Sequence, residues 1–327
     1  MKDINLIYTV DDAYLNQVSI SLISYQLNNP ESNFRVFIVT EKDENTDNYQ
    51  RLVKFHQNDK TSFEFISCRQ YDEIFEKHKL DKWGSNSYYV YWRFVVFNLI
   101  DVDYAIYSDS DVLCLNKLDF PNLEDKSVGC VIDSVHSYFN KCYHKGYDFK
   151  FFNTGTMFVN VKKWKEKHLT ERCVDYLEKH NEKYLMADQD IISLCLEDEI
   201  KTISPKYNWF VGYDYYGLDM QFKMYELDKK AFYSMDELNK AKEEIELYHC
   251  LNAAYGRPWE ENNKSPIRDT YDYYRKKSAW PEYQTPRANS LLFKFELLAE
   301  KILPKGLYCN IHSFATKTRI NSLMKNH

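Results

Sequence analysis

The chain has 327 residues, a net charge of −6, and 44% apolar, 28% charged and 17% aromatic residues. That length suits two domains, or one large α/β unit with an appendage, and it buries a core without disulfides or a metal. Eight glycines and eight prolines exclude collagen-like and low-complexity classes, and the acidic balance argues against nucleic acid as a partner.

The first apolar run, Ile4 to Val10, reads as a buried strand and is followed by the polar turn Asp11-Asp12. Helical spacing of Leu15, Val18, Leu22 and Ile23 then predicts a helix that ends at Asn28-Asn29-Pro30. Phe34 to Val39 is the next strand, a helix covers about Asn45 to Phe55, and Phe63 to Ile66 is a third strand. This β-α-β-α-β order predicts a mostly parallel sheet with helices on both faces. Ser87 to Leu99 reads as an aromatic helix carrying Arg93, and Tyr104 to Tyr107 as a strand running into Ser108-Asp109-Ser110-Asp111. Gly129 to Asp133 is a strand, and Phe151 to Val161 reads as two short strands about Asn153-Thr154-Gly155. Trp164 to Tyr184 reads as one helix, Asp188 opens another, and Glu246 to Cys250 is a last strand.

Eight scattered cysteines without a C-x-x-C pair suggest neither a zinc cluster nor a redox motif. The N-terminal apolar stretch is short and lacks a basic start, and the longest charge-free apolar run, Phe151 to Val161, is far below a membrane span. A reduced, cytoplasmic setting with buried thiols is the expectation.

In open parallel sheets ligands bind beyond the carboxyl ends of the strands. Three D-x-D triplets occur, Asp101/Asp103, Asp109/Asp111 and Asp188/Asp190, where composition alone yields roughly two. Only Asp109/Asp111 directly follows an apolar strand. Residues two apart in extended chain share a face, so this pair can hold Mg2+ or Mn2+, or serve as a solvated, capping turn. His249 is the natural third ligand, and imidazole beside carboxylates favours Mn2+ over Mg2+. Arg257, before Pro258-Trp259, supplies a cation for phosphate oxygens. Arg93 is a second such cation, or a buried partner of a sheet-end aspartate.

Six blocks, in order, resemble the retaining glycosyltransferases of family 8, which include bacterial lipopolysaccharide galactosyl- and glucosyltransferases and glycogenin. They are Thr9 to Tyr14, Arg93 in its aromatic segment, Tyr107 to Val112, Phe152 to Trp164, Asp188 to Ile191, and His249 with Arg257-Pro258-Trp259. The resemblance spans about Ile4 to Trp259. It implies a GT-A fold, with a Rossmann-like nucleotide half (about 1–115) and an acceptor half (about 116–261), a UDP-sugar donor and Mn2+.

Carried over by position, Thr9, Asp11 and Asp12 face uridine and ribose, and Arg93 lies by the donor sugar. Asp109, Asp111 and His249 hold the metal, with Ser110 and Arg257 on the nucleotide-sugar side. Asn153 and Gly155 line the sugar pocket, Asp188 and Gln189 stand at the reacting carbon, and Asp133 faces sugar or acceptor. Ala13 stands where the family often has a polar residue, Arg257 replaces the usual Lys, and seven residues separate His249 from Arg257.

Retention of configuration implies either a covalent intermediate or front-face attack. Gln189 is a poor nucleophile, which favours front-face attack, with its carbonyl dipole stabilising an oxocarbenium-like centre. Asp190 is a base, a nucleophile or a helix-capping carboxylate. Two rival classes are a metal-dependent phosphodiesterase, which needs more clustered carboxylates, and a sugar-nucleotide-binding protein without turnover.

The charge is uneven. Residues 262–327 carry 12 Lys/Arg against 5 Asp/Glu, a local +7 that leaves −13 on the first 261. This segment reads as a basic, aromatic, mostly helical extension. Within it Leu291, Phe295, Leu298 and Ile302 recur at helical spacing, widened by Leu292 and Phe293, with Lys294 and Lys301 elsewhere on the wheel. Such a helix either docks on the catalytic domain or lies on an anionic inner-leaflet surface near a lipid-linked acceptor.

Overall fold

The computed structural model describes residues 3–40, 46–80, 88–146, 148–180, 184–227, 230–251, 255–287 and 291–325, leaving out the side chains of 291–293, 296–297, 319–321 and 323–325. In chain order the strands are β1 (Asp3–Thr9), β2 (Asn33–Val39), β3 (Thr61–Ile66), β4 (Tyr104–Ser108), β5 (Val112–Cys114), β6 (Val128–Ile132), β7 (Phe152–Asn160), β8 (Ile200–Thr202), β9 (Trp209–Phe210) and β10 (Leu247–His249). The helices are α1 (Leu15–Asn28), α2 (Asp47–His56), α3 (Asp72–Lys77), α4 (His136–Cys142), α5 (Val161–Glu166), α6 (Leu169–Lys179), α7 (Asp188–Cys195), α8 (Val211–Tyr216), α9 (Leu218–Tyr225), α10 (Met235–Glu243), α11 (Arg268–Lys276), α12 (Leu291–Ile302) and α13 (Lys305–Lys325).

A seven-stranded sheet runs β3-β2-β1-β4-β7-β6-β8. Strands β3, β2, β1 and β4 are parallel, β7 is antiparallel to both β4 and β6, and β8 is parallel to β6. The sheet is the mixed, mostly parallel one that the β-α alternation predicts. Leu6, Ile7 and Tyr8 on β1 are fully buried although neighbouring side chains point to opposite faces. Helices cover both sides of such a strand, so continuous apolar runs replace alternation. A second, three-stranded sheet, β5-β10-β9, sits beside the carboxyl end of β4.

Three predicted elements differ. The segment 87–99 is not one helix: its described part holds two 3-10 turns, Tyr91–Phe94 and Val96–Asn98. Tyr91 to Phe94 are all buried, so no solvent face exists, and the neighbouring β-branched valines are weak helix formers. Phe151 to Val161 contributes a single strand, because β7 pairs along both edges. Trp164 to Tyr184 divides at His168, whose φ of 54° is left-handed; α5 and α6 lie on either side, and residues 181–183 are outside the described set. Thr170 bridges Trp164 Nε1 and Phe94 O and holds that break.

The C-terminal segment packs by parts. Tyr271 donates to Gln17 Oε1 at 2.7 Å, Asn28 donates to the Tyr274 hydroxyl at 2.8 Å, and Ala279 N donates to Ser19 Oγ at 3.0 Å, joining α11 and its flank to α1. Tyr308 and Ser313 of α13 are buried against Tyr216 and Tyr138. On the other side Phe295, Leu298, Ile302, Leu307, Ile311 and Phe314 are exposed. Of the expected apolar stripe, the side chains of Leu291, Leu292 and Phe293 lie outside the described residues. No described helix is long and apolar enough to cross a membrane. All eight cysteines are free and buried.

Candidate active site

The two sheets meet at Asp109-Ser110-Asp111, which links the end of β4 to β5. Antiparallel pairing sets His249 opposite Val112, and Cys250 N donates to Asp111 O at 2.9 Å. This register carries His249 to the D-x-D turn. On the other side β7 pairs with β4, and Asp109 N donates to Gly155 O at 2.7 Å.

Asp109, Asp111 and His249 form the one metal-capable cluster among the described residues, with ligand atoms within 4.8 Å of one another. His249 Nε2 is 3.2 Å from Asp111 Oδ1 and 3.9 Å from Asp109 Oδ2. His249 Nδ1 lies 3.0 Å from Asn208 Oδ1, and Asn208 Nδ2 donates to Asn153 Oδ1 at 2.8 Å. That orientation makes Nδ1 a donor and turns Nε2 toward two carboxylates, where it can donate to them or, once its proton is displaced, ligate a cation. Three acceptor atoms thus converge where a cation fits, and the nitrogen-oxygen donor set suits Mn2+. Gly155 makes the room: a Cβ there would overlap His249 Cε1 and come within 2.9 Å of Asp109 Oδ2.

Two arginines balance the carboxylates. Arg93, buried and stacked over the Tyr107 ring at 4.5 Å, reaches Asp109 Oδ1 at 2.8 Å, Asp188 Oδ2 at 3.1 Å and Thr154 Oγ1 at 2.7 Å. Arg257 Nη1 contacts Asp111 Oδ2 and donates to Cys250 O at 2.8 Å. Gly256, with φ of 77°, supplies the left-handed turn that leads into Arg257, a conformation that strains other residues.

Asp188 and Gln189 open α7 and are buried. Thr154 Oγ1 donates to Asp188 Oδ2 at 2.9 Å, and Gln189 Nε2 donates to Asp133 Oδ2 at 3.0 Å. Asn153 Nδ2 donates to the same Asp133 oxygen at 2.9 Å. Asp190 is fully buried and accepts from the Tyr143 hydroxyl at 2.6 Å and Met186 N at 2.9 Å. These bonds hold the turn containing Ala187, whose φ is 52°.

Burial pushes the Asp188 carboxyl up to about 6, against the pull of Arg93. Burial likewise pushes Asp190 up to about 7, against its Tyr143 hydrogen bond. At Asp111 burial acts upward too, but His249 and Arg257 outweigh it and hold the carboxyl below the usual range.

The remaining predicted residues sit around this centre. Thr9 Oγ1 lies 2.6 Å from the Tyr107 hydroxyl, which in turn donates to Asp109 Oδ1 at 3.2 Å. Asp11 caps the following turn through Ala13 N. Asp12 accepts from Thr46 and Asn48 at the start of α2, at 2.7 and 2.8 Å. Ser110 is half-buried. Thr154, Asn208, Tyr107 and Tyr143 are site residues that sequence reasoning did not single out. Thr154 and Tyr107 lie inside the quoted blocks, whereas Asn208 lies just before β9 and carries no local signal.

The fold is shared with glycosyltransferases of the GT-A type. The crystal structure of the galactosyltransferase LgtC with donor and acceptor sugar analogues superposes with a TM-score of 0.64 over 84% of this chain and 96% of that one, at 17% identity. Residues 5–262 match glycosyl transferase family 8, and the chain belongs to that family. Glycosyltransferase GlyF of Streptococcus pneumoniae serotype 4 is 26% identical over 226 residues, 68% of this chain but 50% of its own length. Lipopolysaccharide 1,2-glucosyltransferase of Escherichia coli K12 is 24% identical over 316 residues, 93% of this chain and 87% of that protein. Membership of that family assigns the chain to the glycosyltransferases, it spans about half the length or less of several of the curated relatives it matches, and its Asp-Asp-His cluster is compatible with a bound metal ion.

Proposed function

We propose that the chain transfers a hexose, galactose or glucose, from a UDP-sugar to a saccharide acceptor of a cell-surface glycan such as lipopolysaccharide or capsule, with retention of configuration. The observation that carries this reading is the convergence of Asp109, Asp111 and His249 with Arg257 on one side and Asp188 and Gln189 on the other. Asp109, Asp111 and His249 would hold Mn2+, with Mg2+ the weaker substitute. When bound, the ion supplies Lewis-acid charge that stabilises the departing UDP.

The chain's own residues do the rest. Thr9, Asp11 and Asp12 lie on the uridine and ribose side, and Ser110 and Arg257 on the diphosphate side. Arg93 clamps Asp109 to Asp188 and so orients both halves of the site. Asn153, Gly155 and Asp133 border the sugar, with Asp133 turned to sugar or acceptor. The Gln189 amide is held at both ends, Nε2 donating to Asp133 and Oε1 accepting from Thr154 N at 3.4 Å, and the second lone pair of that carbonyl is the one we assign to positive charge at the anomeric carbon. Front-face attack follows, since an amide is a poor nucleophile. The burial of Asp190 beneath Tyr143 and Met186 favours an anchoring role for it over attack.

The domain reading is a catalytic unit over 1–261, with its nucleotide half at 1–115 and acceptor half at 116–261, plus the extension 262–327. The exposed apolar residues of α12 and α13, with exposed Lys294, Lys301 and Lys305, support a cytoplasmic protein resting on an anionic membrane surface near a lipid-linked acceptor.

A panel of UDP-sugars with Mn2+, read by UDP release and by the anomeric configuration of the product, tests the reading. Turnover of UDP-galactose or UDP-glucose with retention is expected. Cleavage of a generic phosphodiester without a sugar nucleotide favours a phosphodiesterase, and UDP binding without turnover of any donor favours a binding protein.

A further inference from the structure

Asp111 offers both oxygens to positive or polar neighbours: Oδ1 faces His249 Nε2 and Oδ2 contacts Arg257. The Arg257 guanidinium therefore competes with any divalent ion for the same carboxylate. Arg93 is placed differently. It is gripped by Asp109, Asp188 and Thr154 at once, and its side chain is 10% exposed. Arg257 has one carboxylate partner and one carbonyl partner and lies over the Trp259 ring at 5.1 Å, its side chain is 28% exposed, and the left-handed Gly256 precedes it. Of the two arginines it is the one that can change partners.

We propose that Arg257 is a displaceable counter-ion, held by Asp111 until a diphosphate recruits it, so that divalent metal and nucleotide diphosphate bind as a coupled pair. This rests on the metal and UDP-sugar reading above. A divalent ion entering alone meets a guanidinium already neutralising one of its ligands. A diphosphate gives that guanidinium a better partner, because paired phosphate oxygens match its planar fork. Each ligand then raises the affinity for the other, as linkage requires.

The test measures Mn2+ binding to the full chain by electron paramagnetic resonance and calorimetry, with and without UDP, and requires no turnover. In the wild type UDP is expected to tighten Mn2+ binding, within the roughly 5–150-fold range usual for coupled sites. Arg257→Ala should bind Mn2+ alone about tenfold more tightly than wild type, while its affinity for UDP in the presence of Mn2+ falls. These opposite signs separate a counter-ion from a merely structural residue, whose loss weakens both. Arg257→Lys should fall between the two, and Arg257→Gln carries the same comparison if the alanine variant melts early. Mn2+ bound by the wild type with UDP, but no more tightly by a folded Arg257 variant alone, overturns the counter-ion proposal and leaves the metal reading standing. A wild-type chain that takes up no Mn2+ under either condition overturns both.

Discussion

Arg93 and Asp188 form a buried ion pair, Nη1 to Oδ2 at 3.1 Å, while the other arm of the same guanidinium holds Asp109 at 2.8 Å. One side chain thus ties the end of β4 to the start of α7. Without it Asp188 would be left buried with no cation beside it, and the half-buried Asp109 would keep only the Tyr107 hydroxyl and the His249 ring. Arg93→Met should cost about 3–5 kcal/mol of stability in a denaturant titration, as breaking buried pairs does. Arg93→Lys should recover little of it, because an ammonium lacks the fork that reaches two carboxylates. A variant within experimental error of wild type would show that Asp109 and Asp188 do not depend on this cation.

Asp109→Asn and Asp111→Asn should each lower transfer by roughly 100-fold or more while the far-UV spectrum stays that of the wild type, with a lower melting temperature because each takes a carboxylate from an arginine. In chelator-treated protein, Mn2+ should restore turnover better than Mg2+, because the proposed third ligand is the His249 nitrogen. Full activity in either variant, or equal rescue by Mg2+, would count against this ligand set.

Gly155→Ala tests the space beside the cluster. The added methyl must displace the His249 ring or the Asp109 carboxylate, both of which it would meet at overlap distance. Mn2+ binding, followed calorimetrically, should weaken although α and β content is unchanged. Unaltered Mn2+ affinity in Gly155→Ala would place the ion elsewhere.

Asp190 makes a pH prediction whose sign follows from its burial. Its carboxyl titrates near 7 in the folded chain, against about 3.9 when unfolded, so the folded form keeps a proton that the unfolded form releases. The stability this group contributes is full below about pH 4 and is lost as pH rises toward 7, at a slope of up to about 1.4 kcal/mol per pH unit. Asp188 acts in the same direction, with its loss complete near pH 6. His56, buried and lowered to about 3, acts oppositely below its unfolded value, so the comparison must be made against a variant. Asp190→Asn should lose stability less steeply than wild type between pH 6 and 7 in parallel denaturant titrations. Identical slopes would show that Asp190 does not take up the proton.

The outer face of the last two helices predicts sedimentation with anionic liposomes at low salt. The informative truncation ends at Arg287, because α11 and its flank are bonded to α1 through Tyr271, Tyr274 and Ala279. Phe295→Ser with Phe314→Ser should reduce pelleting while leaving the buried Tyr308 and Ser313 contacts in place. Full-length protein that ignores the liposomes would end the membrane reading, and unfolding of the chain ending at Arg287 would assign α12 and α13 to the core.

The strands β1, β2 and β4 were legible in the sequence because each is a short, largely apolar run, interrupted only by Asn5 and Thr9 in the first and Arg35 in the second, that ends in a polar turn. The acidic turn was legible for the same reason, since Asp109 and Asp111 follow such a run directly. What tertiary structure alone decided is which distant residues share that turn. Pairing of β10 with β5 delivers His249, pairing of β7 with β4 delivers Gly155, and the loop before β9 delivers Asn208. The break at His168 and the single strand through Asn153 were likewise settled by partners far along the chain, Phe94 and β6. A periodic apolar pattern records which face of an element is buried. A lone polar residue records nothing of the kind, because its burial becomes affordable only when the folded chain supplies the hydrogen bonds that replace water.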